Sequence, residues 1–210
     1  RYSMSQFSFN DDGFAWTSRG FDRGNDEYVW YGRTPGEKKW ERIHSQHEDS
    51  FETFSIEGID PENPDIFFVT ATNGRDKAAL WEFNIRTRQF GEIIYARPDV
   101  NVAGVRYHSN KWTEGDTMVA VAYRTDKTHY EYFDPIEGAT YAQLEGVIPH
   151  AYEIRITSRS RDGKVLTVYN YGPHDPGSYY LLKDGKLTAI GSKQPLLKSE
   201  ELADVKYISY

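Results

Sequence analysis

Short apolar segments recur along the chain at intervals of about fifty residues. Four aromatic-rich segments begin 52, 50 and 49 residues apart: Tyr28–Tyr31, Leu80–Phe83, Tyr130–Phe133 and Tyr179–Leu182. The apolar segments that precede them begin 52, 52 and 47 residues apart: Phe14–Gly20, Ile66–Thr72, Met118–Arg124 and Val165–Tyr171. A repeat of this length, built from short strands, is typical of β-propeller blades.

Each repeat divides into four short strands separated by turn residues. In the last repeat, Tyr152–Ser158 is the predicted first strand, and Asp162-Gly163 and Asp184-Gly185 are predicted hairpin turns. Asp-Gly between apolar runs is a strong hairpin signal, because both residues tolerate the positive φ of such turns. In the third repeat, Asp134-Pro135 marks a turn before the fourth strand.

The second strand of each repeat has apolar side chains on both faces. Ile66–Val69 contains no polar residue, and Met118–Tyr123 is apolar at every position. Such strands are covered on both sides, as the inner strands of packed propeller blades are. The only helical signal is at Lys198–Ala203, where Ser199 is a candidate N-cap. We therefore predict an all-β fold, a β-propeller segment of about four four-stranded antiparallel blades.

The repeat also predicts the domain boundaries. Residues 1–198 form a partial propeller, and residues 199–210 form a linker. The predicted blades lie at about residues 1–48, 49–98, 99–148 and 149–195.

Composition and charge narrow the classes of partner. A chain of 210 residues with 38% hydrophobic and 15% aromatic content can bury a globular core. Its formal charge of −7 argues against nucleic acid, whose phosphates are bound mainly by Lys and Arg. No apolar run reaches the length of a membrane span, so we expect no membrane partner. The sequence has no cysteine, which is compatible with either redox environment and leaves the localisation unknown.

The sequence offers no complete set of catalytic residues. The G-x-S-x-G pentapeptide of many serine hydrolases is missing. His44 and His47 are spaced by three, but the repeat assigns them to a loop between blades, and a metal site needs three or four ligands. The acidic pair Asp11-Asp12 lies beside a turn, which favours a role in the turn over acid–base catalysis. We expect no catalytic residue, no cofactor and no metal in this chain.

The predicted connections between second and third strands carry several charged side chains. They span residues 19–25, 73–77, 124–129 and 172–178. Strands of a meander alternate in direction, so these connections lie at the face from which the chain emerges after the last blade. The candidate residues at this face are Arg19, Arg23, Arg75, Arg124, His129 and His174. The alternative for each is an ordinary solvated charge in a surface loop.

The last fifty residues contain several distinctive stretches. They are RDGKVL (161–166), GPHDPGSYYL (172–181), GKLT (185–188), PLL (195–197) and LADVKYISY (202–210). Together they resemble the end of the propeller in the prolyl oligopeptidase family of serine peptidases. Over residues 1–160 the resemblance is one of repeat pattern only, which TolB-type propellers share.

The resemblance implies a parent enzyme in which residues 199–210 lead to an α/β-hydrolase domain outside this chain. That domain would carry the Ser-Asp-His triad, and no residue here matches a triad position. In the family the propeller restricts access to the active site and sometimes contributes charged side chains to substrate binding. The implied function is a noncatalytic lid and binding domain, and the implied partners are the peptidase domain of the same parent chain and peptide substrates.

Two further expectations remain open. The alternative function is a stand-alone, TolB-type interaction propeller, which the sequence beyond Tyr210 would distinguish from a peptidase lid. Four blades would form either an open half-ring or a small closed ring. Exposed blade faces of an open half-ring favour association, so we predict a homodimer of the isolated segment.

Overall fold

Within residues 3–10 and 12–208, which the computed structural model describes, most regular structure is β-strand. The chain forms two compact units, one ending at Gly104 and the other beginning at Val105. Asp11 of the acidic pair, and residues 209–210 at the end of the predicted linker, lie outside the described residues.

The first unit contains two four-stranded antiparallel sheets in which each strand pairs with its neighbour in sequence. The strands of the first sheet are β1 (Ser3–Phe9), β2 (Ala15–Asp22), β3 (Glu27–Gly32) and β4 (Glu41–His47). Those of the second are β5 (Phe54–Ile59), β6 (Ile66–Ala71), β7 (Ala79–Asn84) and β8 (Gln89–Tyr95). These meanders follow from the hairpin turns between consecutive apolar segments.

An aromatic core forms within the first unit. Phe67 and Phe83 are almost completely buried. Trp30 and Phe54 meet edge to face at a centroid distance of 5.3 Å, and Trp16 meets Phe67 in the same way at 5.1 Å. Edge-to-face contacts between aromatic rings add a favourable electrostatic interaction to the stabilisation that comes from burying apolar surface. Residues of both sheets share this core, which explains why β6 is apolar on both faces.

The other two sheets are also antiparallel meanders, and except for the first three residues of β9 they lie in the second unit with two helices. The third sheet consists of β9 (Val102–Tyr107), β10 (Met118–Arg124) and β11 (Thr128–Tyr132). Helix α1 (Lys111–Glu114) precedes β10, and helix α2 (Pro135–Val147) follows β11. The fourth sheet consists of β12 (Glu153–Arg159), β13 (Val165–Gly172), β14 (Asp175–Lys183) and β15 (Lys186–Ser192).

The third repeat departs from the sequence prediction, because a helix replaces its fourth strand. Asp134 is the N-cap of α2, and its carboxylate accepts hydrogen bonds from the backbone N–H groups of Ile136 (2.8 Å) and Glu137 (3.0 Å). Pro135 follows in the first turn, where its missing N–H costs nothing. Asp-Pro therefore starts a helix here, whereas we predicted a turn before a strand.

Helix α2 belongs to the core of the second unit. Its buried residues Tyr141 and Leu144 form one cluster with Ile154 on β12 and with Leu166 and Val168 on β13. The helix therefore buries apolar area against the sheet beside it.

In three of the four sheets, the first strand carries a β-bulge near its middle. The register with the second strand shifts between Ser5 and Phe7 in β1, between Ile56 and Gly58 in β5, and between Ile156 and Ser158 in β12. A bulge leaves one residue out of the ladder and bends the strand. The bulged residues are Gln6, Glu57 and Thr157. They share no residue type, so the sequence does not show that the bulge repeats.

Three four-stranded meanders and one three-stranded meander confirm the prediction of an all-β propeller segment. The predicted C-terminal helix at Lys198–Ala203 is wrong: Ser199–Glu201 forms a single 3₁₀ turn, and its N-cap is Lys198, without a side-chain cap. Among the described residues, no helix is long and apolar enough to cross a membrane.

Candidate functional site

Four turns connect the second and third strands of the sheets; three are shorter than predicted, and the one between β6 and β7, residues 72–78, is slightly longer. Arg23 and Arg75 lie in such turns and are exposed, as predicted. Arg124 is the last residue of β10 and is also exposed, opposite Thr128 in the ladder. His174 lies in a two-residue turn between β13 and β14.

Arg19 is in a strand, which corrects its placement in a loop. It opposes Trp30 in the β2–β3 ladder. Its guanidinium carbon lies 4.3 Å from the ring centroid of Tyr28 and 5.1 Å from that of Trp30. Strand β2 continues to Asp22, whose carboxylate accepts hydrogen bonds from the turn that follows, including the backbone N–H of Gly24 at 3.0 Å. Arg19 therefore packs along the sheet and is only half exposed.

His129 is also in a strand, the second residue of β11. Its ring stacks on Tyr123, its partner in the ladder, with an interplanar angle of 13°. Nε2 of His129 lies 2.8 Å from a carboxylate oxygen of Asp126. This hydrogen bond holds the pKa of Asp126 well below its ordinary value.

His174 contacts the segment that follows the last strand. Its Nε2 lies 2.5 Å from Oδ1 of Asp204. The hydrogen bond to this carboxylate raises the pKa of His174. Asp204 comes after β15, so the chain beyond the fourth sheet passes beside the β13–β14 turn.

The histidine pair at His44 and His47 does not lie in a loop but on β4. His44 stacks on Phe54 with a centroid distance of 4.0 Å, and burial lowers its pKa. No group of three or more potential metal ligands occurs among residues 3–10 and 12–208.

A cavity of about 820 Å³ opens in the second unit between β9 and β12, and sequence reasoning did not identify it. Its basic lining residues are Arg106, Lys111, Arg155 and Arg159. Aromatic side chains of Trp112, Tyr130 and Tyr141 also line it. A cavity of this size with apolar walls and a few convergent polar groups is the usual form of a ligand site.

Arg106 is held in a fixed position beside this cavity. It donates from Nη1 to the hydroxyl of Tyr132 (2.6 Å) and from Nη2 to the carbonyl of Ile154 (3.2 Å). Its guanidinium carbon lies 3.5 Å from the ring centroid of Tyr130 and 4.1 Å from that of Tyr141. Burial raises the pKa of Tyr132 and of Tyr141, so both phenols stay neutral and add no counter-charge.

Arg159 at the cavity wall is neutralised by a buried carboxylate. Glu137 of α2 is fully buried, and its Oε1 lies 2.8 Å from Nη2 of Arg159. The same carboxylate accepts hydrogen bonds from the hydroxyl (3.1 Å) and the backbone N–H (3.4 Å) of Ser109, and Nε2 of His108 lies 3.4 Å away. No sequence pattern indicates this network, because His108 and Arg159 are 51 residues apart and both reach Glu137 only in the folded chain.

Comparisons with known proteins agree with the observed fold. No protein-family model and no curated protein matches the chain. Forty-four chains of solved structures match it. One comes from a structural and mechanistic study of two prolyl endopeptidases that addressed inter-domain dynamics in catalysis and specificity; it aligns with a TM-score of 0.50 and 14% identity.

This alignment covers 91% of the present chain and 26% of the solved one, so the chain spans about a quarter of that structure's length. At such low identity the likeness is one of fold. Together with the four antiparallel meanders, it identifies the chain as a β-propeller segment, with the fold of part of a prolyl endopeptidase structure.

Proposed function

We propose that this chain is the noncatalytic propeller domain of a serine peptidase of the prolyl oligopeptidase family, where it limits access to the active site and contacts the peptide substrate. The observation that carries the proposal is the alignment of 91% of the chain with part of a prolyl endopeptidase structure. The resemblance of residues 161–210 to the end of the family's propeller supports the same assignment.

The course of the C-terminal segment also supports the proposal. Asp204 lies in the stretch that, in the family, leads to the peptidase domain, and it contacts His174 in the β13–β14 turn. In this reading the turns between second and third strands face the peptidase domain. Arg23 and Arg75 are exposed cations in those turns, and the exposed Arg124 ends the strand before one of them.

The first test is to treat the natural protein in its source cells with a fluorophosphonate probe for active serines and to identify it through peptides of this segment. We expect a labelled species far heavier than 24.3 kDa that cleaves a short proline-containing peptide. An unlabelled species close to 24.3 kDa would contradict the proposal and favour the stand-alone interaction propeller.

A second test separates contact with the substrate from ordinary surface charge. In the natural protein, Arg23→Glu, Arg75→Glu and Arg124→Glu should each change kcat/KM for a charged peptide by roughly two- to tenfold at low salt, because charges near a site steer binding. The control is Arg88→Glu, an equal charge change in the exposed turn between β7 and β8, at the other end of its sheet. If all three variants behave like the control, these residues do not face the site.

A role of Arg19, His129 or His174 in substrate binding needs a different measurement, because these side chains also make structural contacts. Arg19 and His129 pack against their own sheets, and His174 contacts Asp204 in the C-terminal segment. Substitution of Arg19 or His129 removes aromatic contacts as well as charge. A changed KM is therefore evidence that they bind substrate only if the thermal stability of the variant is unchanged.

A further inference from the structure

The cavity between β9 and β12 is cationic in a chain with a formal charge of −7. Its lining includes four Arg and Lys side chains and no Asp or Glu. Lys111 is neutralised by Asp116 at 2.6 Å, and Arg159 by Glu137 at 2.8 Å. Within the described part of the chain, the other two, both arginines, form no ion pair. The potential inside the cavity is therefore positive, which favours an anionic ligand.

Arg106 is preorganised to bind a carboxylate. The contacts with Tyr132 and Ile154 use two of the five N–H groups of its guanidinium. Aromatic rings on its faces restrict the side chain, so little conformational entropy is lost on binding. Planar guanidinium groups form paired, charge-assisted hydrogen bonds with carboxylates.

A second donor in the cavity wall lacks an acceptor. Nε of Arg159 is buried and has no hydrogen-bond partner among the described residues. Because this atom has almost no accessible surface, it is not itself open to a ligand, and Arg106 and Arg155 are the candidate donors in the cavity.

The backbone around the cavity is suited to an extended peptide. Both lining strands are edge strands of their sheets, β9 in the third and β12 in the fourth. Thr157, which lines the cavity, lies at the bulge and has no partner in the β12–β13 register. Edge strands offer backbone N–H and C=O groups to an added segment.

Apolar surface lies next to the cationic groups. Trp112 is 67% exposed at the cavity, and Ile156 and Tyr130 also line it. An anion with an apolar side chain attached would contact both kinds of surface at once.

From these observations we propose that the cavity binds the C-terminal end of a short peptide, with the terminal carboxylate on Arg106 and Arg155 and an apolar last side chain against Trp112. The choice of a peptide rests on the proposed function, whereas the carboxylate is inferred from the cavity itself.

The experiment measures binding to the full chain by calorimetry and by Trp fluorescence. The probes are an N-acetylated tripeptide ending in Phe with a free carboxylate and the same peptide as its C-terminal amide. We expect the acid to bind at least about tenfold more tightly than the amide, because one charge-assisted pair is lost in the amide. A higher salt concentration should weaken binding of the acid and leave binding of the amide unchanged.

Two variants localise the site. Arg106→Gln and Arg155→Gln should each weaken binding of the acid by about tenfold and leave the amide unchanged. Arg155 is exposed, so this variant keeps the test valid if Arg106→Gln unfolds. The matched control is Arg88→Gln, which removes one exposed arginine from the first unit and should leave binding unchanged.

The proposal is overturned if the acid and the amide bind with equal affinity, or if neither binds at millimolar concentration. It is also overturned if Arg155→Gln binds the acid as tightly as the Arg88→Gln control does. Displacement of the peptide by inorganic phosphate at equal concentration would also overturn it, since the site would then recognise any anion. Binding does not depend on hydrolysis. A protein that binds the acid without an active serine therefore contradicts only the proposed function, and a peptidase that fails to bind it contradicts only this inference.

Discussion

Glu137 shows at the scale of single residues how this fold tolerates a buried charge. Its carboxylate has no exposed surface, yet it pairs with Arg159 and accepts two hydrogen bonds from Ser109. A buried charge is tolerated only when it is paired and hydrogen-bonded. This pair also fixes one wall of the cationic cavity.

Removing the carboxylate should therefore destabilise the protein strongly. In Glu137→Ala the guanidinium of Arg159 remains largely buried without a counter-ion, and breaking a buried pair typically costs about 3–5 kcal/mol. The free energy of unfolding from urea titrations measures the effect. Glu145→Ala, an exposed position on the same helix, should stay within about 0.5 kcal/mol of the parent chain. Equal effects of the two substitutions would contradict the role of burial.

The contact between His174 and Asp204 should depend on pH. The pKa of His174 is raised above its ordinary value of 6.5 by the Asp204 carboxylate. A group with a raised pKa in the folded state stabilises fully below its unfolded pKa, and this contribution is lost as pH rises through the folded value. The stabilising contribution of the contact should thus be complete well below pH 6.5 and should be lost as pH rises through the raised pKa of His174.

NMR titration of the His174 ring and of the backbone amide of Asp204 tests this expectation. Both signals should move with one pKa above 6.5. Asp204→Asn should lower that pKa and uncouple the amide from it. If the pKa of His174 in the unsubstituted protein is at or below the ordinary value, the contact with Asp204 is contradicted.

Helix α2 illustrates, at the scale of elements, how one residue pair can start two different structures. Asp-Pro is common in turns, and it is equally suited to the N-cap and first position of a helix. Burial of Tyr141 and Leu144 against the fourth sheet favours the helix here, because it removes these side chains from water.

The cap itself can be tested by two substitutions at Asp134. Asp134→Ala should destabilise the chain by about 0.5–2 kcal/mol, because two backbone N–H groups of the first turn lose their acceptor. Asp134→Asn keeps an acceptor oxygen and should restore most of the stability. Thermal melts followed at a helical circular dichroism wavelength measure both. A loss of equal size in the Asn variant would show that charge matters and the cap does not.

The end of β13 depends on a glycine. A Cβ at Gly172 would lie 2.4 Å from Cβ of Tyr152, and a side-chain rotation cannot move that atom away. Gly172→Ala should therefore cost about 1–3 kcal/mol through strain. In β15, an added Cβ at Gly191 meets no atom within 4 Å. Gly191→Ala is thus the control and should change the unfolding free energy by less than about 0.5 kcal/mol.

Exposed apolar side chains bear on the behaviour of the whole molecule in solution. Phe9 on β1 is 57% exposed and Ile190 on β15 is 54% exposed, and both strands are edges of their sheets. Exposed apolar surface at strand edges favours association. We predict that the isolated chain forms a homodimer. Sedimentation velocity over a hundredfold range of concentration tests this, and a monomeric mass throughout would contradict it.

The sequence by itself determined the class of fold. The fifty-residue spacing, the doubly apolar second strands and the Asp-Gly turns are local patterns, and local patterns suffice for meanders whose strands pair with their sequence neighbours. Met118–Arg124 was predicted with the bounds of β10 itself. Arg23, Arg75 and His174 were placed correctly in turns for the same reason.

Only the tertiary structure decided the features that depend on distant residues. The ends of β2 and β11, and so the positions of Arg19 and His129, depend on pairing across the ladder. The choice of helix at Pro135 depends on burial against another sheet. The cationic cavity requires β9, β12 and α2 together, because Arg106, Glu137 and Arg159 are far apart in the chain and acquire their chemistry from burial and mutual contact.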